Sequence, residues 1–319
     1  MKNISSKKFF LCISTILTCL TGCNPYKNMI KKKVIIKKQS LFNTIEQEKK
    51  EKIPIITIWI HGTRPSIRAL KILHKLAQKP ARILGIKKLP YFHSVPGLKH
   101  ISEVDPQYRL RRHMEILTIN NPDTYPREHA YIFGWSGKLS FTEREKEARN
   151  LYHALQNISI KYKNTYNTQP IIRIIAHSHG GNVALNLAKI HKQENAFALY
   201  VDELILLGCP VQKETAYYTA DPIFKKIYSL YSHSDIIQII DPQGLYSRGR
   251  PFFSKRRFPF HEKMKQVYTT FNGRPMLHLS FIIDKFIKNL PAIIQKINNW
   301  YETKPIQKYE IRKLRIFIQ

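Results

Sequence analysis

The residues with the clearest potential for chemistry surround a single serine. Ser178 stands in the run Ala176-His177-Ser178-His179-Gly180-Gly181, and a short, apolar, β-branched run at 171–175 precedes it. The apolar run predicts a strand that is covered on both faces, and the apolar spacing from Val183 onward predicts a helix. A sharp turn between such a strand and helix exposes a serine hydroxyl as a nucleophile. The alternative is a turn that only caps the helix.

This turn departs at one position from the pattern Gly-x-Ser-x-Gly. Ala176 replaces the first glycine, whereas Gly180 keeps the second small position. Because alanine adds one methyl group where strand and helix approach, a slightly wider crossing accommodates it. We therefore interpret Ser178 as the candidate nucleophile.

A serine nucleophile needs a base that takes its proton and an acid that orients this base. Asp235 follows the predicted strand 227–231 and lies beyond its carboxyl end, where open α/β sheets hold their sites. His278 follows the predicted strand 264–271 and leads into a closing helix. The order of serine, acid and histidine along the chain therefore indicates Asp235 as the acid and His278 as the base.

Other assignments of the acid and the base stay open from the sequence. Asp221 and Asp241 are alternative acids, although both are less well placed. Asp235 can also be read as a residue that caps a loop, and His278 as a buried or capping histidine.

The elements that position these residues alternate along the chain between strands and helices. Strands are predicted at 53–60, 130–135, 171–176, 203–208, 226–231 and 264–271. Helices are predicted at 65–78, after the capping box of Ser140 and Glu143, after Gly181, and at 279–290 and 291–300. This alternation predicts an α/β fold with a mostly parallel sheet and helices on both faces. Residues 305–319 form either an edge strand or a basic tail.

A long basic and proline-rich stretch, from Pro80 to about Arg127, interrupts this alternation after the first strand and helix. We interpret it as an irregular insertion, which in a compact domain is usually functional. Its apolar residues either line the mouth of an active site or pack against the edge of the sheet; they include Tyr91, Phe92, Val95 and Leu98.

The first residues predict an export signal. Three lysines precede an apolar segment that is too short to span a bilayer, and the tetrapeptide Leu20-Thr21-Gly22-Cys23 closes it. This ending resembles a bacterial lipoprotein signal, which implies removal of residues 1–22, acylation of Cys23 and a membrane-anchored protein of the bacterial envelope. The alternative is an ordinary secretory signal that is cut elsewhere.

The chain carries a formal net charge of +31, and part of it lies close to the predicted anchor. Residues 23–52, with nine lysines against three glutamates, read as a basic tether. Such a charge attracts polyanions, and for an exported, anchored chain anionic lipids or acidic envelope glycans fit better than nucleic acid. The alternative is that the high lysine content reflects the general amino-acid composition of the source's proteins and has no role in binding.

The cysteines and histidines predict neither disulfides nor a metal site. Removal of the signal leaves Cys23 and Cys209, and with Cys23 acylated Cys209 has no partner within the chain. We interpret Cys209 as a small packed residue. Because no H-E-x-x-H pattern or Cys/His cluster occurs in the sequence, we expect no metal and no other cofactor.

Residues 53 to roughly 295 resemble the α/β-hydrolase superfamily, and within it lipase-like serine esterases. The resemblance rests on His61-Gly62-Thr63 after the first strand, on the run around Ser178, and on the loops of Asp235 and His278. It implies an α/β-hydrolase domain over 53–304, with an insertion after the first strand and helix. It also implies hydrolysis of an ester or lipid through an acyl-enzyme, with the N–H groups of Thr63 and His179 as the oxyanion hole.

Two other functions remain open. An acyltransferase would use the same triad but pass the acyl group to an alcohol. A non-catalytic lipoprotein would use a hydrolase scaffold to hold anionic polymers or lipids, since a fold alone does not determine function.

Overall fold

A computed structural model describes residues 34–35, 37–38, 53–64, 93–194, 199–238, 256–303 and 312–316. The chain divides into two units, Met1–Lys52 and Ile53–Gln319. In the first unit the four described residues are helical and exposed. The predicted anchor Cys23, the predicted helix 65–78 and residues 80–92 lie outside the described residues.

The second unit is built on a mixed sheet that is mostly parallel. Its described strands are β1 (Ile55–Ile60), β2 (Gly97–His100), β3 (Ala130–Gly134), β4 (Ile171–His177), β5 (Glu203–Leu207), β6 (Ile227–Tyr231), β7 (Met264–Phe271), β8 (Arg274–Pro275) and β9 (Arg312–Ile316). Their order is β2-β3-β1-β4-β5-β6-β7-β8, and β9 also pairs with β7. The pairings of β2 with β3 and of β7 with β8 are antiparallel, and the other described pairings between these strands are parallel.

Helices cover both faces of this sheet. The described ones are α1 (Arg109–Asn120), α2 (Phe141–Tyr166), α3 (Gly180–Leu185), α4 (Leu187–Glu194) and α5 (Asp284–Thr303). On one face Ile58 of β1 and Leu151 of α2 belong to one buried cluster. On the other face Trp59 of β1 packs in a second cluster with Met114 of α1 and Ile287 of α5. The predicted α/β class, with a mostly parallel sheet between helices, is therefore confirmed.

Helix α2 begins and packs as predicted, but only half of the predicted capping box forms, because the N–H of Ser140 donates to the carbonyl of Lys138 (2.9 Å) and not to the side chain of Glu143. Ser140 is its N-cap, and Ser140 Oγ accepts a hydrogen bond of 3.2 Å from the N–H of Glu143. The predicted apolar stripe is fully buried; it comprises Ala148, Leu151, Tyr152 and Leu155. Burial of this stripe holds α2 against the sheet.

The irregular structure expected for the proline-rich stretch is only partly right for its described residues, 93–127. These residues include β2 and α1, and Leu110, Met114 and Leu117 of α1 are buried. The arginines between these positions hide their helical spacing in the sequence. Leu98 lies on β2 beside β3, so that it packs at the edge of the sheet.

The two closing helices predicted at 279–290 and 291–300 are wrong as well. A single helix, α5, runs through Pro291, and a 3₁₀ turn at His278–Ile282 precedes it. The buried face of α5 continues across the proline, from Phe286 to Ile297. Packing of this continuous face therefore outweighs the local cost of proline inside a helix.

Within 305–319 only residues 312–316 are described, and they form a strand, β9, which pairs with β7 in parallel. None of the helices in the described ranges has both the length and the apolar character that a bilayer crossing requires.

Candidate active site

Ser178 lies at the turn between β4 and α3 in a backbone conformation that is rare for serine. Its φ is +54°, in the left-handed region. Such a conformation costs on the order of 1–3 kcal/mol and persists only where the surroundings impose it. Here the N–H of Ser178 donates to the carbonyl of Leu207 (3.0 Å), and the N–H of Gly181 donates to the carbonyl of Ser178 (2.9 Å). The sheet and the start of the helix thus hold Ser178 in the strained turn.

The structure brings Asp235 and His278 together. Nδ1 of His278 lies 2.8 Å from Oδ2 of Asp235, and both side chains are buried. The other carboxylate oxygen of Asp235 accepts the N–H of Gln238 at 2.9 Å. Because a carboxylate can only accept, Nδ1 of His278 carries the proton and Nε2 of the neutral ring is left as the basic nitrogen.

These residues meet at one edge of the sheet because their strands are parallel. Ser178 follows β4, Asp235 follows β6 and His278 follows β7 and the short β8. Among the described residues no hydrogen bond joins Oγ of Ser178 to His278, whose hydrogen bonds go to Asp235 and His177. Contacts between a nucleophile and its base are often long in a free enzyme.

The loop after β1 packs directly against this turn. A Cβ on Gly62 would lie 2.7 Å from Cβ of Ser178, and a Cβ on Gly180 would collide with the carbonyl oxygen of His61. Glycine is therefore required at both positions by close approach. The nearest atoms to such a Cβ on Gly180 belong to His61 and to Ile60 of β1.

His61 holds this loop in place through both ring nitrogens. Nδ1 lies 2.7 Å from the carbonyl oxygen of Gly62, and Nε2 lies 3.1 Å from the backbone nitrogen of Trp135. The indole N–H of Trp135 donates in turn to the carbonyl of His61 at 2.7 Å, and the two rings stack. One donor and one acceptor match a neutral imidazole, and burial lowers the pKa of His61 to about 4.

This arrangement orients the predicted oxyanion donor. Since the carbonyl of Gly62 points to His61, the N–H of Thr63 in the same trans peptide points the other way. Within the described part of the chain, neither the N–H of Thr63 nor that of His179 donates to another group.

Two further imidazoles beside Ser178 are neutral. Burial, reinforced by the neighbouring His278, holds the pKa of His177 well below its usual range. Burial and the charge of Arg144 do the same for the pKa of His179. Sequence reasoning predicted a role for the peptide N–H of His179 but none for the ring of His177. The ring of His177 contacts the backbone of His278, which is 101 positions away along the chain, so no local pattern indicates the contact.

Cys209 is a packed residue, as predicted. It is buried and free, and burial raises the pKa of its thiol. A Cβ on Gly181 would lie 2.5 Å from its Sγ, so that the sulfur fills the space beside α3. In the described ranges, no group of His, Cys, Asp and Glu side chains is arranged to hold a metal ion.

Comparison with protein-family models finds none that matches this chain. Comparison with curated proteins also finds no match. Membership of the α/β-hydrolase superfamily therefore stays a prediction that rests on the residues themselves.

A buried histidine whose pKa is lowered makes the free energy of unfolding depend on pH. His113 of α1 packs against Trp59 outside the site, and burial lowers its pKa to about 3. In the unfolded chain the imidazole binds a proton below about pH 6.5, whereas in the fold it does not. The free energy of unfolding should therefore fall as the pH falls, by about 1.4 kcal/mol between pH 7.5 and 5.5 for this one group.

Urea unfolding at both pH values measures this loss. Between pH 7.5 and 5.5 the free energy of unfolding of His113→Gln should fall by about 1.4 kcal/mol less than that of wild type. Glutamine at this position binds no proton in either the folded or the unfolded state. Thr118→Val, at a buried position of the same helix, changes no titratable group; it is the control and should keep the wild-type dependence. An unchanged dependence in His113→Gln would contradict the prediction.

Proposed function

We propose that the unit Ile53–Gln319 is a serine hydrolase of the α/β-hydrolase fold that cleaves carboxylic esters. The observation that carries this proposal is the left-handed Ser178 on the same sheet edge as the buried pair of Asp235 and His278. We also propose that the stretch from Pro80 to Arg127 is the insertion of this fold after its first strand and helix.

The mechanism follows from the atoms at this edge. Nε2 of His278 takes the proton of Ser178 Oγ, which attacks the ester carbonyl, while Asp235 stabilises the imidazolium. The N–H groups of Thr63 and His179 donate to the tetrahedral oxyanion, and each such donor is typically worth about 3 kcal/mol. His278 then protonates the leaving alcohol. Water hydrolyses the acyl-enzyme with His278 again as the base, which regenerates Ser178.

Two costs in the structure favour an enzyme over a non-catalytic binding protein. The left-handed backbone of Ser178 is strained, and Asp235 is a carboxylate fully removed from water. Neither feature is needed to hold a polymer on a basic surface. A reaction that uses both groups accounts for keeping them.

We further propose that the enzyme is an anchored lipoprotein of the bacterial envelope. Residues 1–22 would be removed, Cys23 would carry the lipid, and residues 23–52 would form a basic tether. The chain has a formal net charge of +31, of which the signal carries only three lysines, and this supports contact with anionic lipids; the substrate would be an ester or lipid within reach of the anchor.

Labelling with a serine-directed fluorophosphonate tests the proposed triad. Wild type should be labelled at Ser178, and Ser178→Ala should take no label. Asp235→Asn and His278→Ala should be labelled at least about a thousandfold more slowly, because the base is misoriented or missing. Peptide mapping of the adduct and the rate of labelling measure these effects.

Ser140→Ala is the matched control for the loss of a hydroxyl. Ser140 caps α2 through the N–H of Glu143, so its removal should leave the labelling rate unchanged. A folded wild-type protein that takes no label would overturn the proposed mechanism.

Gly62→Ala tests the contact between the loop after β1 and the turn of Ser178. The added methyl would lie 2.7 Å from Cβ of Ser178 and 3.2 Å from the carbonyl oxygen of His177, so one of them must move. We expect labelling to slow by at least about tenfold, since small displacements of reacting groups are costly. The Gly97→Ala control also places alanine at a positive φ, but nothing lies within 4 Å of the new Cβ. It should lose stability without a loss of labelling rate.

A further inference from the structure

His177 is the last residue of β4 and directly precedes Ser178, yet it contacts the loop of the base. Its Nε2 lies 3.2 Å from the backbone carbonyl oxygen of His278, and the centroids of the two rings lie 4.7 Å apart. His177 is buried, with 6% of its surface exposed. It belongs neither to the triad nor to the oxyanion donors.

The partner of His177 determines its tautomer. A carbonyl oxygen only accepts, so Nε2 of His177 carries the hydrogen and Nδ1 of the neutral ring does not. Nδ1 faces the loop after β1, where a Cβ on Gly62 would lie 3.3 Å away. His177 is therefore an uncharged donor between two loops. An uncharged ring this close to His278 does not oppose the imidazolium that forms there during acylation.

The main chain before His278 is mostly exposed, at 272–275 and at Leu277, whereas Met276 is buried. Two contacts then fix His278 itself. Asp235 holds the imidazole of His278, which constrains the rotation of the ring. The bond from His177 holds the main chain of His278. Because His177 adjoins Ser178 on a central strand, this bond ties the base to the nucleophile's own strand.

We propose that His177 is a positioning residue that sets the separation between His278 and Ser178 through its Nε2–H···O=C hydrogen bond. This inference rests on the proposed hydrolase function. It predicts that removal of the donor slows the covalent step without weakening the reversible binding that precedes it.

Three substitutions separate the hydrogen bond from the packing of the ring. His177→Leu keeps a similar volume without a donor, and His177→Asn carries an amide that is too short to reach the carbonyl. His177→Gln places an amide N–H near the position of Nε2. We expect the labelling rate constant at saturating fluorophosphonate to fall about 10- to 100-fold in the Leu and Asn variants. The Gln variant should stay within about threefold of wild type, and all variants should keep the wild-type half-saturating concentration.

The outcomes distinguish this inference from the proposed function. A wild-type protein without label overturns both. Labelling of wild type together with wild-type rates in the Leu and Asn variants overturns the role of His177 alone. Equal slowing in the Gln variant, or a changed half-saturating concentration with an unchanged rate constant, also overturns it, because packing would then be the cause. His191→Leu is the control for exchange of a partly buried histidine outside the site and should label as wild type does.

Discussion

The left-handed backbone of Ser178 is the constraint on which the rest of the site depends. Its carbonyl and N–H are held by hydrogen bonds to the helix start and to β5, so the turn cannot relax without loss of both. The turn also requires neighbours without side chains. Gly62 and Gly180 let the loop after β1 approach Ser178 more closely than any other residue would allow. Strain at one residue is thus balanced by packing from two directions.

Buried neutral imidazoles connect the loops of this sheet edge. His61 joins the loop after β1 to the end of β3 through Trp135, and His177 joins the end of β4 to the loop of His278. A neutral imidazole offers one donor and one acceptor in a rigid ring, which suits the bridging of backbone groups without a buried charge. Burial keeps these rings neutral, because a protonated imidazole would lose its hydration there, and the pKa of both histidines is therefore lowered.

Prediction from sequence succeeded where the pattern was local. The N-cap and the apolar stripe of α2, and the strands β4 to β7, follow from spacing over a few residues. It failed at α1, whose arginines obscure the apolar positions, and at α5, where Pro291 suggested a break that tertiary packing overrides. Both failures concern elements whose buried face is decided by what they pack against. Propensity alone carries no information about that partner.

By itself the sequence determined the alternation of strands and helices, the turn at Ser178, and the order of Ser178, Asp235 and His278 along the chain. Parallel pairing then predicts that their loops share one edge. Only the tertiary structure decided the positive φ of Ser178 and the contacts of His61 with Trp135 and of His177 with His278. These contacts join residues 74 and 101 positions apart, respectively. Local spacing cannot encode them, because they arise from how neighbouring strands bring distant loops together.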